Sequence, residues 1–268
     1  MTDAGPSIFL APNETIKEVI TVSEKNEKTE SIAYKGIVSF IMDGKIQPGK
    51  RLAEQQIADE LKISRTPVRN AMRSLSREGL LENRGSGGYI LSPLSIKDVK
   101  KLFKVKLLVE PAIAAEAAQN APTAEKDCFE KLLERERECY FKGKRDLYAI
   151  NREIHCGIAR LTGNKHMSAI QTALFWPAEL YILFFDTFYH GTPERPLLRD
   201  PDRSVSYKGH VELVESVFAR DARRAKKACT DHIIATWEML RKNIASLKEG
   251  YGRMIISDWE EDLPEKPE

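Results

Sequence analysis

The sequence predicts a mainly α-helical chain: a basic N-terminal three-helix module closed by a small β-hairpin, then an antiparallel bundle of about six helices. Three observations predict it. Helical apolar spacing recurs from Ser31 onward, whereas strand-like residues gather only around 80–91. A glycine run, Arg84-Gly85-Ser86-Gly87-Gly88, separates two short apolar stretches. Elsewhere, glycines, prolines and short polar caps fall at helix-length intervals.

Composition narrows the class. At 268 residues, one large domain or two modest ones are expected, at roughly 100–200 residues each. The apolar share of 42% supports a packed core and excludes a disordered chain. With 42 basic against 40 acidic residues, the net charge of +2 excludes a protein that coats nucleic acid along its whole length. Charge is segregated, however. Residues 31–92 hold ten basic and six acidic side chains, and residues 250–268 hold two basic and six acidic. No window of about 18 uncharged apolar residues is found, so no membrane-spanning helix is expected. Asp3 interrupts what would otherwise have to be a basic start to a secretory signal. Cys128, Cys139, Cys156 and Cys229 lack C-x-x-C spacing and read as reduced thiols. The expectation is a cytoplasmic protein with no membrane contact.

The elements follow in order. Residues 1–28, with Pro6 and Pro12, read as a flexible arm, and residues 29–93 as the basic module. Ser31–Met42 sets Ala33, Ile37, Phe40 and Ile41 on one helical face, and Gly44 stops that helix. Ala53–Leu61 is a short second helix burying Ile57, Ala58 and Leu61. Ser64 suits an N-cap for a third helix, with Pro67 in its first turn, where a missing N–H costs little. That helix runs to about Gly79. It buries Val68, Ala71, Met72 and Leu75, and carries Arg65, Arg69, Arg73 and Arg77 at intervals of four. Two short strands around the glycine run make the hairpin.

Two helices joined by a short turn, the second with a basic outer face, match the helix-turn-helix plan. The major groove admits one α-helix, and its base edges are best read from the helix N-terminal end, where Arg65, Thr66 and Arg69 sit. Arginine suits guanine because its fork meets two acceptors at once. Arginine rows at this spacing also occur on ordinary solvated faces. It is the whole combination, a capped basic helix after a turn and before a glycine-tipped hairpin, that favours DNA.

IQPGKRLAEQQIADELKISRTPVRNAMRSLSREGLLENRGSGGYIL resembles the winged helix-turn-helix of the GntR family of bacterial transcription regulators. The matching features are the Pro48-Gly49 turn, Leu52, Ile57-Ala58, Ser64-Arg65-Thr66-Pro67-Val68-Arg69, Leu75, Glu78-Gly79-Leu80 and the glycine-rich wing. The resemblance implies DNA contacts from Arg65, Thr66 and Arg69, with Arg73 on the same face, and a wing reaching into the minor groove at Gly85, Ser86 and Gly87. Gln55 stands where some members carry an arginine, so any contact from the second helix becomes a neutral hydrogen bond.

Residues 94–249 read as the bundle and 250–268 as an acidic tail. Ser95 caps a helix starting at Ile96, which Pro111 should kink or break. Thr123 caps a second helix to about Tyr140, and Asp146 a third, which Gly163-Asn164 ends. A fourth runs from about His166 to Phe188, bent near Pro177. A proline-bearing loop spans 190–203, and Tyr207–Ala219 and Asp221–Leu247 complete the set. Seven aromatic residues between 175 and 189 read as core, or else as a cavity wall or subunit contact.

Asn151 and His155, four apart, leave one helical face. His210 and His232 lie on successive helices that antiparallel packing could bring level. Neutral imidazoles with an amide oxygen would suit a divalent cation such as zinc or nickel and leave an open position. Spacing alone equally allows separately satisfied histidines. His166 and His190 read as surface or outer residues, and Cys229 as a small buried hydrophobe.

Asn151-Arg152-Glu153-Ile154-His155 with Thr162-Gly163-Asn164, and then His210…Asp221…His232, is similar to the signature of the FadR subfamily's helical effector-binding (FCD) domain. The resemblance implies a metal held by Asn151, His155, His210 and His232. Asn151 replaces the commoner aspartate. Lys106 stands where many relatives have an arginine associated with an acidic effector. The function expected is a ligand-responsive regulator, most relatives being repressors. It would bind operator DNA as a homodimer and a small carboxylate near the metal. A metal-dependent enzyme and a constitutive DNA binder with a structural metal are the rivals. No H-E-x-x-H or paired Glu-x-x-His places a general base, so no enzyme is expected.

Overall fold

The structure, a computed structural model, describes residues 15–142, 147–186 and 198–246. Asp146, His190, Pro193, Pro196, Phe188, Tyr189, the first fourteen residues and the acidic tail lie outside the described residues. Within them the chain forms nine α-helices and one three-stranded sheet. It divides into two compact units, one built from residues up to 46 with 52–75, the other from 47–51 and 76 onward.

The first unit holds α1 (Thr15–Met42), α2 (Glu54–Leu61) and most of α3 (Arg65–Arg77). α1 begins in the stretch read as an arm. No proline or glycine falls between Pro12 and Gly36, so no strong helix breaker stops the helix short of Thr15. The core is Ala33, Ile37, Val38 and Ile41 of α1, Ile57 and Ala58 of α2, and Val68, Ala71, Met72 and Leu75 of α3. Lys62 turns the chain between α2 and α3 in the left-handed region (φ 55), and its N–H is accepted by Ala58 and Asp59 carbonyls. Arg65, Thr66, Arg69, Arg73 and Arg77 are all exposed. One helix therefore separates an apolar stripe from a cationic one, as its spacing predicts.

The second unit begins with the sheet, whose strand order is β1 (Arg51–Leu52), β3 (Tyr89–Leu91), β2 (Leu81–Asn83). β2 and β3 form the expected hairpin, pairing Leu81 with Leu91 and Asn83 with Tyr89. The third strand is too short to show periodicity. It is held by Leu91, which accepts from the Gly49 N–H and donates to the Lys50 carbonyl. Gly79 follows α3 at φ +81, and a Cβ there would stand 2.9 Å from Pro177 Cγ, so both conformation and space call for glycine.

The bundle comprises α4 (Ile96–Asn120), α5 (Lys126–Lys142), α6 (Leu147–Leu161), α7 (Lys165–Phe185), α8 (Val205–Phe218) and α9 (Ala222–Ser246). Ser95 caps α4 by accepting from the Asp98 N–H, as expected. α4 runs unbroken through Pro111, against expectation. An interior proline costs about 3 kcal/mol. α4, however, packs on α6, α7, α8 and α9, and buries Phe103, Ile113, Ala114 and Ala117. At about 1.5–3 kcal/mol for each large side chain, that burial outweighs the lost bond. Thr123 opens a short 3-10 turn instead of capping α5 directly. Asn164 caps α7, accepting from the His166 and Met167 N–H groups. Among the described residues only α7 is long and apolar enough to cross a membrane. Phe175, Trp176, Leu180, Tyr181, Leu183 and Phe185 of α7 are buried against the bundle, as in a core helix. Phe103 of α4 and Trp237 of α9 mark the centre, their ring centroids 5.4 Å apart. Glu78 accepts from Trp176 Nε1 (2.9 Å) and Arg152 Nη2 (2.9 Å), tying the segment after α3 to α6 and α7.

Candidate functional site

The bundle encloses a cavity of about 260 Å³, walled by α4, α6, α7, α8 and α9. Asn151 and His155 enter it from α6, His210 from α8 and His232 from α9. The three imidazoles converge, with centroids 5.0 Å (His155–His210), 5.3 Å (His155–His232) and 4.7 Å (His210–His232) apart. His155 Nε2 and His210 Nε2 are separated by 3.1 Å. One ring nitrogen from each histidine lies within 4.8 Å of the others.

The chemistry of this donor set fits a divalent cation. Two nitrogens bound to one zinc at about 2.1 Å stand no more than about 4.2 Å apart, so only a small closure is needed. Burial, the largest cause, holds His155 and His232 well below the usual imidazole pKa, so both rings are neutral near pH 7. Buried polar atoms are left over: among the described residues, Asn151 Oδ1 and His232 Nδ1 have no hydrogen-bond partner. Such atoms are rare unless something absent satisfies them. On the far side of His210, Nδ1 faces both oxygens of the fully buried Glu136 at 2.9 Å. A carboxylate only accepts, so Nδ1 carries a proton and Nε2 is the nitrogen left to the cavity.

Lys106, expected as a point charge for an acidic effector, lines the same cavity. Its charge is already met by Glu110, whose Oε1 lies 2.5 Å from Nζ and also accepts from Gln171 Nε2 at 3.2 Å. His166 is exposed and outside the trio. Cys229 is buried, its thiol pushed well up by desolvation, which keeps it protonated and suits packing over ligation. Glu136, Glu110 and Gln171 escaped the sequence reading because carboxylates and amides on charged helices carry no spacing signal of their own. Gly209, which packs against the His232 ring, escaped it too.

The second site is the outer face of α3. Arg69 donates through Nε to Glu54 Oε1 (3.0 Å) and through Nη2 to Glu54 Oε2 (2.8 Å), and Arg65 Nη2 donates to Oε2 (3.2 Å). These pairs, chiefly the bond from Arg69, hold the Glu54 carboxyl below its usual range. Thr66 and Arg73 lie exposed on the same helix. Gln55 donates to Asp59 one turn on (2.8 Å). At the hairpin tip, Gly85 (φ +60) donates its N–H to Asn83 Oδ1, Ser86 is exposed, and Gly87 is half-buried.

Comparison with known proteins matches a family model to each part of the chain. Residues 30–90 match the model for bacterial regulatory proteins of the gntR family, and residues 101–235 match the FCD domain. The uncharacterized HTH-type transcriptional regulator YdhC of Bacillus subtilis (strain 168) is 29% identical over 136 residues, covering 50% of this chain and 61% of that protein. The HTH-type transcriptional repressor RspR of Escherichia coli (strain K12) is 26% identical over 208 residues, covering 74% and 82%. Among solved structures, E. coli McbR/YncC shares the fold with a TM-score of 0.62 at 16% identity, covering 81% of this chain and 97% of that one.

Proposed function

Because the chain belongs to the GntR family of bacterial transcription regulators, with an FCD domain following its DNA-binding module, we propose that it is a repressor released by a small organic acid. The acid would bind at a divalent metal in the helical cavity. The protein is a DNA-binding transcription regulator. The operator face is α3, with Arg65, Thr66, Arg69 and Arg73, supported by Gln55 of α2 and by Gly85, Ser86 and Gly87 of the hairpin. Its work on operator DNA is cytoplasmic. As a homodimer it sets two copies of α3 on half-sites about 34–36 Å apart. A relative named as a repressor, RspR, supports the direction of control.

The convergence of His155, His210 and His232 beside the unpartnered Asn151 oxygen carries the metal reading. All four ligands are neutral, so zinc or nickel keeps its full double charge and favours an anion at the open position. A cavity of about 260 Å³ suits a small effector. Lys106, paired with Glu110, lies at its wall. The metal supplies Lewis acidity and charge. His155, His210 and His232 would hold it, Asn151 would complete the set, and Glu136 would keep His210 in the ligating tautomer. A ligand shifts DNA binding only through its different affinity for the DNA-competent and DNA-incompetent states.

The test uses the full chain and a duplex it enriches from a randomised library. Zinc-loaded protein is titrated with a panel of small mono- and dicarboxylates while duplex binding is read by fluorescence anisotropy. At least one acid should weaken binding about tenfold or more, and the same acid should have no effect on His155→Ala/His232→Ala protein. A panel without effect on DNA binding overturns the acid-sensor reading. Failure to enrich any duplex overturns the operator face.

A further inference from the structure

From the α2–α3 junction we infer that Glu54 is a positioning residue for base reading: it holds the guanidinium of Arg69 side-on, and Arg65 with it, so that Arg69 presents its other edge to a guanine. This rests on α3 being the operator face.

Glu54 is the first residue of α2, where the helix dipole favours a carboxylate, and Ala53 before it offers no side-chain cap. From there it reaches the first turn of α3. Arg65 and Arg69, one turn apart, converge on it. Arg69 engages both carboxylate oxygens through its Nε–Nη2 edge. A guanidinium has two such edges, and with the Nε–Nη2 edge on Glu54 the Nη1–Nη2 end is the one left to meet guanine O6 and N7.

Two considerations say that this is not a folding device. Arg65 and Arg69 side chains are 55% and 45% exposed, and ion pairs so open to water contribute little to stability. A carboxylate in the middle of a cationic face also weakens attraction to phosphates, so it opposes non-specific binding. An acid at that place is useful only if orientation of the arginines matters more than their summed charge. Closing the face on DNA excludes water and strengthens the pairing. An arginine already fixed in a plane loses less side-chain freedom on meeting a base.

The test compares wild type, Glu54→Ala, Glu54→Gln, Arg69→Ala and the double variant Glu54→Ala/Arg69→Ala. Each is titrated with the library-enriched duplex and with random-sequence duplex over a salt series. Glu54→Ala should bind random duplex about fivefold more tightly near physiological salt, with a salt slope steeper by about 1. It should bind the enriched duplex more weakly, so that discrimination falls about tenfold or more. Glu54→Gln keeps one acceptor oxygen without the charge, so it should show the same gain on random duplex with a smaller loss of discrimination. The double variant should discriminate no worse than Arg69→Ala alone, since Glu54 acts through Arg69. Thermal melts check folding, and Glu54→Gln carries the test if Glu54→Ala does not fold. Discrimination within about twofold of wild type in both Glu54 variants overturns the inference. So does a parallel fall on both duplexes, which is what a merely structural role would give. If Arg69→Ala leaves discrimination intact, the operator face itself is wrong. If Arg69→Ala loses it and the Glu54 variants do not, only the role of Glu54 fails.

Discussion

Gly209 of α8 lies against His232 of α9 so closely that a Cβ on it would stand 2.4 Å from His232 Nδ1 and 3.2 Å from His232 Cβ. No real side chain tolerates that approach. The missing side chain lets the two helices meet at the level of His210 and His232. Gly209→Ala should therefore push α8 and α9 apart. Overpacking of this kind costs about 1–3 kcal/mol. Calorimetry should show a lower melting temperature and a zinc affinity reduced about tenfold or more. Unchanged zinc binding would mean that the trio tolerates displacement of His232.

Metal content checks the ligand set directly. His155→Ala combined with His232→Ala should leave no stoichiometric zinc or nickel by mass spectrometry after loading and desalting. Asn151→Asp replaces a neutral oxygen donor by an anionic one. It should tighten zinc binding about tenfold and weaken capture of an acidic effector, because the metal keeps less net charge. A double-histidine variant that retains the parent's metal would refute the assignment.

Glu136 supports His210 from behind, at 2.9 Å from Nδ1. Glu136→Ala strands a buried donor, which costs about 1–3 kcal/mol. It also frees the His210 tautomer, and loss of such a partner typically lowers metal affinity about 10–100-fold. Glu136→Gln can still accept from Nδ1–H through its amide oxygen, so its zinc affinity should fall between those of Glu136→Ala and wild type. Equal zinc affinity in all three proteins would remove Glu136 from the site.

The Glu54 pairing makes a pH prediction. Its carboxyl lies below the usual 4.5, chiefly through the bond from Arg69. A group whose folded pKa is depressed adds stability that is full above the ordinary value and is lost as pH falls through the folded one. The pair should therefore persist to below pH 4.5 and vanish on further acidification. NMR titration of the Glu54 side-chain carbonyl should give a midpoint below 4.5 in wild type, and a higher one in Arg69→Ala. Identical midpoints would show that the two groups do not interact in solution.

Residue order by itself determined much of this protein. The cationic stripe of Arg65, Arg69 and Arg73, the glycine hairpin and the Ser95 and Asn164 caps are local: each follows from side-chain period or backbone preference within a few residues. Asn151 and His155 share a face for the same reason. Only the tertiary structure decided what surrounds them. Pro111 stays helical because α4 is packed on four neighbours. Glu136 meets His210 across 74 positions, Gly209 meets His232 across 23, and Glu54 meets Arg69 across 15. Spacing within a helix reports only which side chains share a face. Which faces then meet depends on how helices dock, and that is settled by burial summed over the whole bundle.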